Sequence, residues 1–215
     1  MRSIINKHRS FWLQRSFLFS VLVGVFLLAL SLLGTYYANS YTLAHASNFV
    51  TDILLDNLPV LNVNFIFSDA ASMFIVLLFV IALFEPRRIP FMLKSIAFFM
   101  LTRSVFMMLT HIAAPPHVSY VNATDFINRL GSGNDLFFSA HTGFPFLIAL
   151  IFWDEKRLRY FFLLASVVGA FAVLLGHLHY SIDVFSAFFI TFGVFQISKQ
   201  IFKTDYRLLT RSSNY

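Results

Sequence analysis

The segment G-H-L-H-Y-S-I-D-V, residues 176–184, contains the side chains best suited to chemistry in this chain. His179 and Asp183 are four residues apart, and on a helix or helical turn this spacing places both side chains on one face. The Asp183 carboxylate can then accept a hydrogen bond from one ring nitrogen of His179, which leaves the other nitrogen to attack an electrophile. The spacing favours a histidine nucleophile, and a purely structural His–Asp pair is the alternative.

A second segment, N-D-L-F-F-S-A-H-T-G at residues 134–143, opens an apolar run in which His141 is predicted to lie about one turn inside a helix. The backbone N–H groups at such a helix start, together with the Ser139 hydroxyl, are suited to bind a phosphate. Asp135 precedes them and could contact a cationic headgroup. Alone, the Ser-x-His pattern is also typical of a structural histidine, so its functional interpretation depends on the first segment.

Arg103 lies inside the third apolar run of the chain. A guanidinium is costly there unless it meets an anion or lines a wet cavity. A phosphate would satisfy it, and so would an ion pair with Asp69 in the second run.

Metal binding is another use of the same histidines. His177 and His179, with His141 and Asp183 nearby, could hold a metal ion. However, His177 and His179 point to different faces if helical, and no H-E-x-x-H pattern is present. The chain has no cysteine, which excludes a thiolate nucleophile and a Cys-based metal site. We therefore predict a site without a metal or another cofactor.

The elements that position these residues are predicted to be membrane helices. The chain has 215 residues, is 58% hydrophobic and only 12% charged, and lacks the polar surface of a soluble globule. We therefore predict an all-α, polytopic membrane protein with six transmembrane helices. The apolar runs of near-spanning length are residues 17–38, 65–84, 91–114, 136–153, 158–176 and 184–202.

The lysines and arginines predict the orientation, since cytoplasmic loops carry an excess of these residues. If the six spans alternate in direction, every lysine and arginine except Arg103 and Arg129 falls on one side of the membrane. Both termini should then be cytoplasmic. Residues 1–16 are predicted to form a basic tail, residues 17–203 the six-helix catalytic domain, and residues 204–215 a second cytoplasmic tail.

Six of the seven histidines and most acidic residues show the complementary pattern and map to the outer half of the predicted spans. The net charge of +6 comes from small basic groups beside apolar runs, which argues against nucleic acid and favours contact with anionic lipid. The outer residues are His45, Asp52, Asp56, Asp69, His111, His117, Asp125, Asp135, His141, His177, His179 and Asp183.

These segments resemble the type 2 phosphatidic acid phosphatase superfamily, and specifically its sphingomyelin synthase-like branch. F-S-A-H-T at residues 138–142 is similar to the branch's Phe-Ser-Gly-His-Thr, and residues 177–184 are similar to its His-x-His-Tyr-Thr-Ile-Asp-Val. T-R-S-V-F-M-M-L-T at residues 102–110 and D-N-L-P at residues 56–59 resemble further segments of the branch. The similarity runs over residues 52–202.

The resemblance implies a metal-independent double displacement on a phosphate ester. His179 would be the nucleophile, Asp183 would orient and stabilise it, and His141 would protonate the leaving group. Arg103 and Ser139 would bind the substrate. A phospholipid donor and a ceramide-like or diacylglycerol-like alcohol acceptor are the implied partners, at the extracytoplasmic or luminal face of a bacterial inner membrane or a eukaryotic Golgi or plasma membrane.

Three departures from the family patterns bear on this expectation. Ala140 replaces the Gly expected before His141, which adds a methyl group beside the phosphate site. Val173 replaces an Arg of the phosphatase branch, which also has a Lys-x6-Arg-Pro segment that is missing here. The synthase-like branch lacks that Arg too, so transfer is favoured. A lipid phosphate or diphosphate phosphatase is the alternative, and a non-catalytic or transport membrane protein is the second.

Overall fold

The computed structural model describes residues 8–116 and 137–210, where the regular structure is helical and contains no strand. The all-α prediction is confirmed for these residues. A π-helical turn, Phe65–Asp69, leads into α2, and 3-10 turns lie at Leu55–Asn57 and Pro86–Arg88. The helices are α1 (Arg15–His45), α2 (Ala70–Phe84), α3 (Ile89–Leu109), α4 (Ala140–Ile151), α5 (Lys156–Leu175), α6 (Ser181–Ile201) and α7 (Lys203–Thr210).

Within these ranges, five helical stretches are long and apolar enough to cross a membrane, one fewer than predicted. The fourth predicted span contains α4, which has 12 residues. Its length of about 18 Å is short of the roughly 30 Å of a bilayer's hydrocarbon core. Residues 137–139, predicted to be helical, precede α4 instead. The spanning stretches are Arg15–His45, Phe65–Phe84, Pro86–Leu109, Lys156–Leu175 and Ser181–Ile201.

Helices α1 and α3 run parallel and pack closely through small and hydroxylated residues. A Cβ atom on Gly24 would lie 3.0 Å from the Cβ of Leu93. Farther along both helices, the hydroxyls of Thr35 and Ser104 are 3.1 Å apart and hydrogen-bonded. Small residues let membrane helices approach, and hydroxyl pairs satisfy polar groups that lipid cannot.

Helix α4 is the central element, because α3, α5 and α6 all pack against it. A Cβ atom on Gly169 of α5 would overlap the backbone oxygen of His141. One on Gly143 of α4 would lie 2.7 Å from Oγ1 of Thr191 in α6. Glycine at these two positions therefore permits the close packing that places the start of α4 beside its neighbours.

The helices alternate in direction, so that α1, α3 and α5 end where α2, α4 and α6 begin. Every described lysine and arginine except Arg103 lies in the half that contains the starts of α1, α3 and α5. His179 and Asp183 lie in the opposite half. This separation of charge accords with a multi-pass membrane protein, whereas the cytoplasmic position of the termini stays a prediction.

Part of the predicted C-terminal tail is a packed helix. In α7, the buried Asp205 accepts hydrogen bonds from Lys94 Nζ of α3 and from the Ser20 hydroxyl of α1, each at 2.6 Å. Lys94 Nζ also donates to the Ser20 hydroxyl at 2.6 Å. These contacts hold α7 against the basic end of two membrane helices.

Substitution of Gly169 by Ala is expected to lower the free energy of unfolding by about 1–3 kcal/mol, because the new methyl group would overlap the backbone of α4. Gly193→Ala is the matched control, since a Cβ atom at Gly193 meets nothing within 4 Å. Thermal unfolding of the detergent-solubilised protein measures both effects. Equal melting temperatures for the two variants would contradict the close approach of α4 and α5.

Candidate active site

The turn between α5 and α6 gives His179 its position. Gly176 ends α5 as its C-cap, and His177 follows in the left-handed region with φ 52°. The N–H of Leu178 then donates to the carbonyl oxygen of Val173 at 2.8 Å, which completes a Schellman ending. The chain therefore leaves α5 sharply, and His177 and His179 lie in the turn after α5 and not on a helix.

His179 and Asp183 lie together, as their spacing predicts. Nδ1 of His179 is 3.5 Å from Oδ2 of Asp183, and the two side chains are 5% and 2% exposed. The two residues do not share a helix, because His179 precedes α6 and Asp183 lies in its first turn. Oδ2 also accepts a hydrogen bond of 2.9 Å from the Tyr180 N–H, which fixes the carboxylate beside the imidazole.

The segment before α4 is held from two sides. The Ser139 N–H donates to the backbone oxygen of Asp183 at 3.1 Å, and Arg103 Nε donates to the backbone oxygen of Phe138 at 2.8 Å. Ser139 is fully buried, and its hydroxyl accepts a 3.3 Å hydrogen bond from Thr142. The structure thus brings Arg103 and Ser139 to the start of α4, at the same end of the molecule as His179.

His141 is the second residue of α4 and lies in its first turn, not one turn inside as predicted, because the helix begins later. Its half-buried ring stacks on Phe67, with ring centroids 3.9 Å apart and planes at 23°. Its Nε2 atom is 3.2 Å from the backbone oxygen of Phe67. His141 is therefore oriented by the turn that precedes α2.

One comparison with known proteins matches the part of the chain that contains the candidate site. The model of the PAP2 superfamily C-terminal domain matches residues 132–200, which include His141, His179 and Asp183. This match supports the type 2 phosphatidic acid phosphatase superfamily. Superfamily members are typically enzymes acting on lipid phosphates. No curated protein and no solved structure matches the chain, and the sphingomyelin synthase-like branch stays a prediction.

Asp52 is a structural residue of the site to which the sequence analysis gave no role. Its Oδ2 accepts a hydrogen bond of 2.6 Å from the Ser181 N–H at the start of α6. Its Oδ1 accepts two more, of 2.9 and 3.2 Å, from the N–H groups of Leu54 and Leu55. Asp52 therefore ties the loop between α1 and α2 to the turn that contains His179. Aspartate is typical of such turns, so the sequence could have predicted the local hydrogen bonds of Asp52. No local pattern predicts its contact with Ser181, which is distant in the chain.

These contacts also determine the charge state of Asp52. Burial raises the pKa of its carboxyl group, but hydrogen bonds from Ser181, Leu55 and Leu54 outweigh that effect and hold the pKa below its ordinary value. A negative charge is therefore maintained close to the start of α6.

A cleft of about 240 Å³ lies beside the turn. Its lining includes the carboxylates of Asp52 and Asp56 and the side chains of Phe49, His177 and Tyr180. Its volume is below the roughly 300 Å³ at which pockets for drug-sized ligands begin. The cleft therefore has room for a small group beside His177 and Tyr180, and His179 is not among the residues that line it.

Three sequence expectations stay open in the structure. Asp135 lies outside the described residues, and so does the side chain of Asp69, the alternative partner of Arg103. Across residues 8–116 and 137–210, no group of three His, Asp or Glu residues could hold a metal ion.

Replacement of Asp52 by Asn is expected to lower the free energy of unfolding at neutral pH by about 1.5–3 kcal/mol, because a charged acceptor is lost. The lowered pKa means that this stabilisation is present above the unfolded value of about 3.9 and is lost as pH falls through the folded value. Wild type and variant should therefore converge in acid. Unfolding at a series of pH values, with the exposed Asp56→Asn as control, tests this. A difference that persists unchanged in acid would contradict it.

Proposed function

We propose that the chain is a lipid phosphotransferase that moves a phospho-headgroup from a phospholipid to a ceramide-like or diacylglycerol-like alcohol. The buried His179–Asp183 pair supports this proposal most directly, because it lies within the match to a superfamily that acts on lipid phosphates. The match to the PAP2 superfamily C-terminal domain suggests lipid phosphatase or phosphotransferase activity, and the transfer reaction is the finer proposal.

In the first step, Nε2 of His179 attacks the phosphorus of the donor. A P–N bond forms, the bond from phosphorus to the glycerol oxygen breaks, and the protonated His141 gives a proton to the departing oxygen. Asp183 faces Nδ1 of His179 and stabilises the positive charge that develops on the ring. The products are a diacylglycerol and a headgroup phosphate bound to His179.

In the second step, the hydroxyl of the acceptor lipid attacks the same phosphorus. Neutral His141 takes the hydroxyl proton, the P–N bond breaks, and His179 is regenerated together with the new phospholipid. The two histidines thus return to their starting protonation states. No redox change or external reactant is required.

Charge at the start of α4 favours phosphate binding. The N-terminus of α4 attracts anions. The guanidinium of Arg103 adds positive charge there, because its Nε donates to the backbone oxygen of Phe138 just before the helix. Ser139 contributes by fixing this segment, and Asp135 is proposed to contact a cationic headgroup. The site faces the extracytoplasmic or luminal side, since the basic residues lie at the opposite end of the helices.

Burial of the reacting pair favours transfer over hydrolysis. His179 is only 4% exposed and Asp183 only 2% exposed, which restricts the access of bulk water to the intermediate. A lipid alcohol that enters from the bilayer is then the favoured acceptor. Hydrolysis by water is the competing outcome in the test below.

Purified protein in bilayers, given phospholipid with a labelled headgroup phosphate, should form a new labelled lipid only when ceramide or diacylglycerol is added. The label should appear in a lipid of changed mobility on thin-layer chromatography. Release of water-soluble headgroup phosphate without a new lipid would contradict transfer and indicate the phosphatase alternative. Activity that survives exhaustive chelation would remove the metal alternative.

The variants His179→Ala and Asp183→Asn should each reduce this turnover by about a hundredfold or more, the scale of a positioned acid–base or nucleophilic group. His45→Ala is the matched control, because His45 lies exposed in the same half of the molecule and outside the site. Unchanged lipid turnover in both site variants would favour the non-catalytic alternative.

A further inference from the structure

The π-helical turn Phe65–Asp69 meets the candidate acid. A π-helical turn is rare, and such turns are frequent at functional sites. Here it delivers two contacts from one residue, since the ring of Phe67 stacks on His141 and the backbone oxygen of Phe67 lies 3.2 Å from Nε2. The stack fixes the plane of the imidazole ring. The contact with the carbonyl fixes which ring nitrogen, Nε2, points toward the backbone of Phe67.

The carbonyl contact also determines the protonation of the ring. A carbonyl oxygen can only accept a hydrogen bond, so Nε2 of His141 must carry a hydrogen in this contact. Nδ1 is then the ring nitrogen that gains and loses a proton. When both nitrogens are protonated, the cation strengthens the hydrogen bond from Nε2 to Phe67.

We propose that Phe67 is a positioning residue for His141 and that His141 transfers its proton through Nδ1. This inference rests on the proposed function, in which His141 protonates the leaving oxygen. In the first step Nδ1 donates its proton to that oxygen as the bond to phosphorus breaks. In the second step Nδ1 accepts the proton of the attacking hydroxyl. Nε2 keeps its hydrogen, bonded to Phe67, throughout both steps.

Phe74 shows what an aromatic residue of the same helical stretch, Phe65–Phe84, does in a structural role. Its ring packs in the apolar core against Phe144 and Phe162, with ring centroids 5.7 and 5.2 Å apart. Phe74→Leu is therefore the matched control for the loss of a phenyl ring. Phe67→Leu removes the stack on His141, and Phe67→Tyr restores a ring at the same place.

The test compares two donors that carry the same phospho-headgroup. A phospholipid has an alkoxide leaving group, which needs the proton of His141, whereas a p-nitrophenyl ester has a leaving group that departs without one. Phe67→Leu should slow the phospholipid reaction by about tenfold or more and the nitrophenyl reaction by no more than about twofold. Phe67→Tyr should recover the phospholipid rate, and Phe74→Leu should not distinguish the donors. An equal loss for both donors in Phe67→Leu would overturn the proposal.

Nitrogen-15 spectra of histidine-labelled protein give a second test that needs no turnover. The signals of His141 are identified by their loss in His141→Asn. The neutral ring should carry its hydrogen on Nε2 in the wild type and also in Phe67→Leu, because this substitution removes the stacked ring but keeps the backbone carbonyl that accepts from Nε2. A hydrogen on Nδ1 in the wild type would overturn the proposal, even if the chain transferred every headgroup as proposed. An Nε2 hydrogen in a chain that turns over no lipid would instead count against the proposed function alone.

Discussion

Asp183 joins the starts of two helices, and the arrangement of the site depends on that junction. Its backbone oxygen accepts the Ser139 N–H before α4, while its carboxylate accepts the Tyr180 N–H before α6 and faces His179. In an apolar surrounding, the free N–H groups at helix starts need partners within the protein. One residue meets this need at two helices and thereby places the candidate nucleophile beside the candidate phosphate site.

Helix α4 is short and buried, and backbone polar groups at both of its ends have hydrogen-bond partners. At its far end, Arg88 donates to the backbone oxygen of Ile151 at 3.0 Å and lies over the ring of Phe152. At its near end, the backbone oxygen of Asp183 accepts a hydrogen bond from the Ser139 N–H. The close packing at Gly143 and Gly169 then fixes α4 sideways. These contacts restrain the position of α4. Such restraint suits His141, which in the proposed mechanism must approach the reacting phosphate in a fixed geometry.

The sequence predicted the parts of this structure that depend on local patterns. Apolar length identified the five helical stretches long enough to cross a membrane, although it also predicted a sixth at α4, and the four-residue spacing identified the His179–Asp183 pair. The late start of α4 was missed because F-F-S continues an apolar run, while Arg103 and Asp183, which are distant in the chain, hydrogen-bond the segment before the helix. The contacts of Asp52 with Ser181 and of Phe67 with His141 were missed for the same reason, since they join residues far apart in the sequence.

The central claim is that His179 carries the headgroup phosphate between donor and acceptor. Rapid quenching of the protein with donor lipid labelled in the phosphate, without acceptor, followed by peptide mapping by mass spectrometry, tests it directly. The account predicts a single label on His179 that disappears when acceptor lipid is added. Continued turnover with no labelled protein, or with the label on another residue, would contradict it.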